Sequence, residues 1–396
     1  MPHAIAQRVL PLFTAAFVGC ATLIGSGAAD VPARDHALER PIQQALDRMT
    51  RIDGLPGAQA SVIDGGRRFT LTSGVGDRET GAPMPGDRGY LRGASNMKSM
   101  VGTVILQLVG EGSVSLDAPV AAYLPGVIPT RAGDATKIKI RHLMQHTSGL
   151  HNHSEDLPAE AETTPFKHYT RQEVLDIGFA KPSDFEPGEN GKWHYSNTGY
   201  VLLGMVIEKV TGHPWRDEVK TRVFDRAGMS DSYFPADYEY RIRSPHARGY
   251  LQLPIPGGEM ATADITETDT SSGDAAGAGN TTPRDLMRFY TALLGDRLLK
   301  PELLAAMKDV VSVPDPRFAL AYGLGLGRFT LPCGGEAWGN GGNTDGFQTL
   351  TGFVVDADGR VIRAANIFTN TTFTEANTAG AMDQFQALYT ALCERR

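Results

Sequence analysis

Basic residues are in deficit, internal repeats are missing, and only one stretch approaches the length of a membrane span. With 38 Lys and Arg against 45 Asp and Glu, the chain carries a formal net charge of -7. That balance argues against nucleic acid or an anionic membrane surface as the main partner. No motif recurs at solenoid periods and no long low-complexity linker divides the 396 residues, which removes repeat arrays from consideration. The apolar run VLPLFTAAFVGCATLIG is short for a span and is interrupted by Pro11, so no stable membrane span is expected. Cysteine is scarce as well: there are three, and Cys20 sits inside that run.

What is present begins at the same place. Arg8 precedes the apolar run, and the small residues Gly27-Ala28-Ala29 precede acidic Asp30. This reads as a secretory signal peptide cleaved after Ala29, which makes the mature protein secreted or periplasmic. A second reading takes Phe17-Val18-Gly19-Cys20 as a lipobox with Cys20 lipidated. Export leaves Cys333 and Cys393, and an oxidising compartment favours a disulfide between them; two unrelated buried thiols are the alternative.

The length suggests two subdomains, and 41% hydrophobic with 21% charged residues is the composition of a soluble globular chain. Leu38, Ile42, Leu46 and Met49 recur at helical spacing within residues 31–52. GAQASVIDGGRRFTLTSGVGD then reads as a β-hairpin about Asp64-Gly65-Gly66. Residues 99–274 show short helices such as RQEVLDIGF, a long apolar run from Thr198 to Val210, and few convincing strands. Strands return in AYGLGLGRFTL and FQTLTGFVVDADGRVIRAANIFT, and a helix over 375–393 closes the chain. The expected organisation is an α/β (α+β) sheet domain, 30–98 plus 275–396, carrying an inserted mostly helical domain, 99–274.

Chemistry enters with RGASNMKSMVGTVILQL, where Ser95 and Lys98 share a face at the start of an apolar helix. A helix N-terminus favours a developing oxyanion, but serine needs an adjacent base. Lysine serves only when neutral, which asks its pKa to fall by about three units from a reference of about 10.4. By itself the pair also fits a capping serine and a solvated lysine. In GKWHYSNTGYVLLGMVIEKVTG, Tyr195 can relay a proton, and the Asn197 amide can orient a lysine or hold a carbonyl. In WGNGGNTDGFQTL, glycines let a strand edge approach a ligand, and a backbone N–H can complete an oxyanion hole.

Together and in this order, the three stretches resemble the serine β-lactamase and penicillin-binding protein superfamily. RHLMQHTSGL, AYLPGV, VFDRAGMSDSYF and YGLGLG are similar to segments of its class C β-lactamase-related branch. The late cysteine pair most resembles secreted actinomycete D-alanyl-D-alanine carboxypeptidases. The resemblance implies a mainly antiparallel sheet flanked by terminal helices, with a helical domain alongside. It implies Ser95 as nucleophile, Lys98 as acylation base, Tyr195 as proton shuttle, and Asn197 orienting Lys98 and the acyl amide. It also implies an oxyanion hole from the N–H groups of Ser95 and Asn343, with Asn340 and Gly342 in the substrate-binding motif. No cofactor is implied, and a monomer acting on a small-molecule or peptide substrate is expected, with peptidoglycan stem peptides as the default.

The chain departs from that pattern where a substrate carboxylate would be held. Asn340 replaces the usual Lys or His, Gly341 replaces a Thr, and Gly327 stands where the carboxypeptidases carry Arg. Arg328 is next door, but neighbouring strand side chains face opposite ways. The acylation machinery is retained while the grip on a carboxylate is dismantled. A serine hydrolase or acyltransferase acting through an acyl-enzyme on amide or ester substrates follows, D-alanyl-D-alanine carboxypeptidase-like but without strict need of a C-terminal carboxylate, with an esterase, a β-lactamase, a transacylase or peptide cyclase of a secondary-metabolite pathway, or a non-catalytic binding protein of the same fold as alternatives. His142, His146, His151 and His153 could be read as a metal cluster, but no glutamate lies between the first pair as in a zinc hydrolase helix. They are assigned a structural role, with no metal.

Overall fold

A computed structural model describes residues 37–157, 164–254, 260–314, 321–372 and 378–393. The segment read as an export signal, including Cys20 and Ala29, lies outside them. Helix α1 (Glu39–Arg51) buries Ile42, Leu46 and Met49, the stripe its spacing predicts. Strands β1 (Gly57–Asp64) and β2 (Arg67–Gly74) form the expected hairpin, its turn made by Gly65 and Gly66 at φ 55° and 93°.

The sheet is completed from the far end of the chain by β7 (Val311–Ser312), β8 (Ala321–Tyr322), β9 (Gly327–Thr330), β10 (Glu336–Thr344), β11 (Phe347–Val355) and β12 (Val361–Thr369). Its order is β2-β1-β12-β11-β10-β9-β8-β7, with every neighbouring pair antiparallel. The mainly antiparallel α/β architecture expected from the sequence is the one observed. Alternation sorts the two faces. Ala58, Ala60, Val62, Ala365 and Ile367 pack with α1 and with the C-terminal helix α7 (Thr378–Cys393), through Leu388, Ala391 and Leu392. Ile63, Phe353 and Ala364 face the other way, into a core built by α2 (Asn96–Gly110), α5 (Asn197–Thr211) and α6 (Pro283–Leu294).

Helix α2 holds the centre. Met97, Met100, Val101, Val104, Ile105 and Leu108 are buried around its whole circumference, so no face is left for water. Each such side chain contributes about 1.5–3 kcal/mol of burial, which makes α2 a rigid post for the residues at its N-terminus. Gly102 lets the helix touch the sheet: a Cβ there would lie 2.7 Å from the Leu324 carbonyl.

One reading needed correction. The segment AYGLGLGRFTL is not one strand, because Gly323 N donates to Leu326 O and Gly325 turns at φ 89° between β8 and β9. Strands are few within 99–274: among the described residues they are the hairpin β4 (Tyr250–Pro254) and β5 (Met260–Asp264), and outside that block β3 (Leu91–Arg92) pairs with β6 (Asn280–Thr281). Prolines and glycines in LPIPGG hid the alternation of the first hairpin, and two-residue strands carry no periodicity at all. Cys333 and Cys393 form a disulfide with a Cα–Cα separation of 5.5 Å, tying the β9–β10 turn to the end of α7.

Candidate active site

Ser95 caps α2, and the residue before it, Ala94, lies in the left-handed region at φ 44°. A non-glycine residue held there is a strained turn, and it delivers the chain from β3 into the helix. The Ser95 side chain caps no backbone N–H. Lys98 follows one turn later; its Nζ lies 3.1 Å from Ser95 Oγ and 2.8 Å from the carbonyl of Ala276. Tyr195, just ahead of α5, donates its Oη hydrogen to Ser95 Oγ at 2.7 Å. The structure thus brings Tyr195 to a serine and lysine that lie about one hundred residues earlier in the chain.

Lys98 is fully buried, and among the described residues no carboxylate contacts it. Its Nζ instead lies 4.8 Å from the Tyr195 ring centre and 5.4 Å from that of Tyr200. Burial without an anion pushes its pKa well below the ordinary 10.5, which favours the neutral amine. Burial pushes Tyr195 the other way, well above 10.0, helped by the nearby Tyr322 and opposed by the bond to Ser95. The phenol therefore keeps its proton. One consistent hydrogen-bond chain results: Tyr195 O–H to Ser95 Oγ, Ser95 O–H to the Lys98 lone pair, Lys98 N–H to Ala276 O.

The third motif divides between the cleft and its support. Asn343 lines a cleft of about 310 Å³ beside Ser95 and Asn197, with Asp269, Asp345 and Ser154 on its walls. Asn340 and Gly342, grouped in sequence with the substrate-binding residues, do not line it. The buried Asn340 amide donates inward to Ser95 O, Ser99 Oγ and Tyr322 Oη at 3.4, 3.3 and 3.2 Å. Gly342 presses on the start of α2, where a Cβ would lie 2.8 Å from Gly93 O and 2.9 Å from Asn96 Nδ2. Both residues brace the site from behind. Among the described residues Asn197 makes no hydrogen bond to Lys98: its Nδ2 donates to Ser154 Oγ at 2.7 Å, and Lys98 donates to Ala276 O. Its Oδ1 is buried beside the cleft with no hydrogen-bond partner among the described residues. Arg328 pairs with Glu336 at 3.9 Å, away from the cleft.

The four histidines each hold a separate partner. His142 Nδ1 accepts from Lys139 N, His151 Nε2 meets Asp156, and His153 bridges Thr198 and Ser272 O. His146 is buried against Tyr195. Sequence reasoning missed Ala276, Ser99 and Tyr322, along with the cleft walls Ser154, Asp269 and Asp345. Ser99, Tyr322 and Asp345 lie inside the quoted stretches but their residue types at those places carry no chemical signature, and the Ala276 contribution is a backbone carbonyl that any residue supplies.

Residues 42–384 match the family model described as Beta-lactamase. Among curated proteins the chain is 28% identical over 313 residues to esterase EstB of Burkholderia gladioli, covering 73% of this chain and 79% of that one. Among solved structures it resembles a D-stereospecific amidohydrolase from Streptomyces sp., with TM-score 0.76, 34% identity, and coverage of 88% of this chain and 98% of that one. It also resembles the D-amino acid amidase of Ochrobactrum anthropi SV3 complexed with L-phenylalanine amide, with TM-score 0.77, 29% identity, and coverage of 90% and 97%. The fold, the length of the match and these serine hydrolase relatives agree: the chain belongs to the Beta-lactamase family, within the β-lactamase/transpeptidase-like superfamily.

Proposed function

We propose that this protein is a serine amidase and esterase that transfers an acyl group to Ser95, favouring amides or esters of amino acids or short peptides of D configuration. The observation that carries the reading is the contact of Ser95 Oγ with both a buried, anion-free Lys98 and the Tyr195 phenol. Ser95 Oγ attacks the acyl carbon while its proton passes to Lys98. The new oxyanion would face the N–H groups of Ser95 and Asn343. The C–N or C–O bond then breaks as the leaving group takes a proton through Tyr195, and Lys98 replaces it. Water, deprotonated by the same pair, releases the acid and restores Ser95.

The substrate class is supported by the cleft walls and by the relatives. Asp269 and Asp345 line the cleft, and neither Lys nor Arg does so among its lining residues. A free substrate carboxylate would meet like charge there, while a free α-amino group would be favoured. The D-stereospecific amidohydrolase, the D-amino acid amidase and the esterase among its relatives point the same way. A carboxypeptidase of D-alanyl-D-alanine stem peptides, which needs that carboxylate, is the weaker reading.

The deciding experiment compares D- and L-phenylalanine amide, p-nitrophenyl acetate, and a D-Ala-D-Ala peptide with free and amidated ends. Turnover of the D-amide and the ester is expected, with little dependence on the terminal carboxylate. Rapid cleavage of the free-acid peptide alone would overturn the proposal. Export with loss of the segment through Ala29 belongs to the same proposal. N-terminal sequencing of protein recovered outside the cytoplasm should begin at Asp30; an N-terminus at a lipidated Cys20 would replace it.

A further inference from the structure

We propose that His146 is the positioning residue for Tyr195, latching the phenol onto Ser95 from both sides of the chain and from its ring face. The inference rests on the role given to Tyr195 above. His146 ends the helix α3 (Ile140–Gln145) in the left-handed region at φ 61°, and it is 1% exposed. That conformation turns its carbonyl and its ring toward the same neighbouring segment. Its backbone O accepts from His194 N at 3.1 Å, and its Nδ1 accepts from Ser196 N at 3.1 Å. Those two donors flank Tyr195. The imidazole lies along the phenol ring, centroids 4.3 Å apart at an interplanar angle of 31°. Behind it the rings of Tyr322, Tyr200 and Trp193 stand 5.0, 5.4 and 5.6 Å away and leave it no room to move.

The protonation state follows from these contacts. An Nδ1 that accepts from an amide leaves the ring proton on Nε2, and burial, with Lys98 and His194 nearby, holds the pKa well below 6.5. Nε2 has no hydrogen-bond partner among the described residues. A residue present only to fill space would have no reason to bury an unsatisfied N–H, since a leucine would pack there without that penalty. The imidazole is explained by what its other side does. It satisfies the second of the two amides that flank Tyr195 and stacks on the ring that must keep Oη 2.7 Å from Ser95 Oγ.

The test is a double-mutant cycle on acylation by D-phenylalanine amide, whose amine leaving group needs the proton that passes through Tyr195, read as the rate of ammonia release, with KM measured separately. His146→Gly tolerates the backbone conformation and removes both ring and acceptor. His146→Asn also tolerates it, and restores an acceptor near Nδ1. H146G should lower the acylation rate by on the order of 10²-fold with KM nearly unchanged, the effect of a displacement of about 1 Å. H146N should recover at least about fivefold of that loss, a rescue that follows from restoring the hydrogen bond to Ser196 N. In the Y195F background H146G should cost less than about threefold, because residues that act through one another are not additive. Equal losses in both backgrounds, with Y195F itself strongly impaired, would overturn the inference and leave His146 a packing residue. If Y195F is acylated as fast as the unmodified protein, the role of Tyr195 fails instead, and no acylation of the unmodified protein overturns both. Should H146G fail to fold by circular dichroism, H146N runs the same cycle, and additive losses there overturn the latch.

Discussion

Replacing Lys98 by Met removes a buried amine while keeping an unbranched side chain of similar length, and its effect on stability depends on pH in a direction the structure dictates. Lys98 is fully buried with no counter-ion, so its folded pKa lies well below the ordinary 10.5. Between those two values the unfolded chain binds a proton at this residue and the folded chain does not. Stability contributed by Lys98 therefore rises with pH through the window and levels off above 10.5, where neither state is protonated. Met carries no such linkage. The stability of the unmodified protein relative to K98M should climb by roughly 1.4 kcal/mol per pH unit while the folded amine is neutral, the value for one proton. The difference accumulates across the pH range between the lowered folded pKa and 10.5. Urea denaturation of both proteins across that range measures it directly, because all other titrating groups are shared. Parallel stability curves would refute the reasoning, since they would mean that Lys98 keeps its proton when folded. The same substitution should lower acylation by about 10²–10⁴-fold, the usual contribution of a positioned base.

Three further outcomes follow from named contacts. Ser95→Ala should abolish the acyl-enzyme mass adduct formed with p-nitrophenyl acetate, and an adduct that persists would move the nucleophile elsewhere. Gly342→Ala should reduce acylation about tenfold or more, because its Cβ would push β10 off Gly93 O and Asn96 Nδ2 at the start of α2; full activity would show that this contact yields without moving Ser95. Replacing Cys333 and Cys393 by Ser should destabilise the fold by about 4 kcal/mol, from a closed loop of 60 residues, read as a lowered urea midpoint. An unchanged midpoint would mean that the bridge constrains little of the unfolded chain.

Local periodicity carried a large part of the fold. The stripe of Ile42, Leu46 and Met49, the Asp64 to Arg67 hairpin turn and the all-round apolar α2 follow from side-chain spacing alone, so each could be read before any coordinate. The hairpin over Tyr250–Asp264 and the break between β8 and β9 could not, because prolines and glycines obscure alternation there.

The site divides along the same line. Sequence alone determined that Ser95 and Lys98 share a face, since three residues on a helix are one turn. Tertiary structure decided everything separated by long stretches of chain. It set Tyr195 against Ser95 across 100 residues, supplied Ala276 O to Lys98 across 178, and turned Asn340 into a brace and His146 into a ring stacked on the phenol. The lowered pKa of Lys98 comes from packing, because burial excludes water and no carboxylate among the described residues contacts the amine.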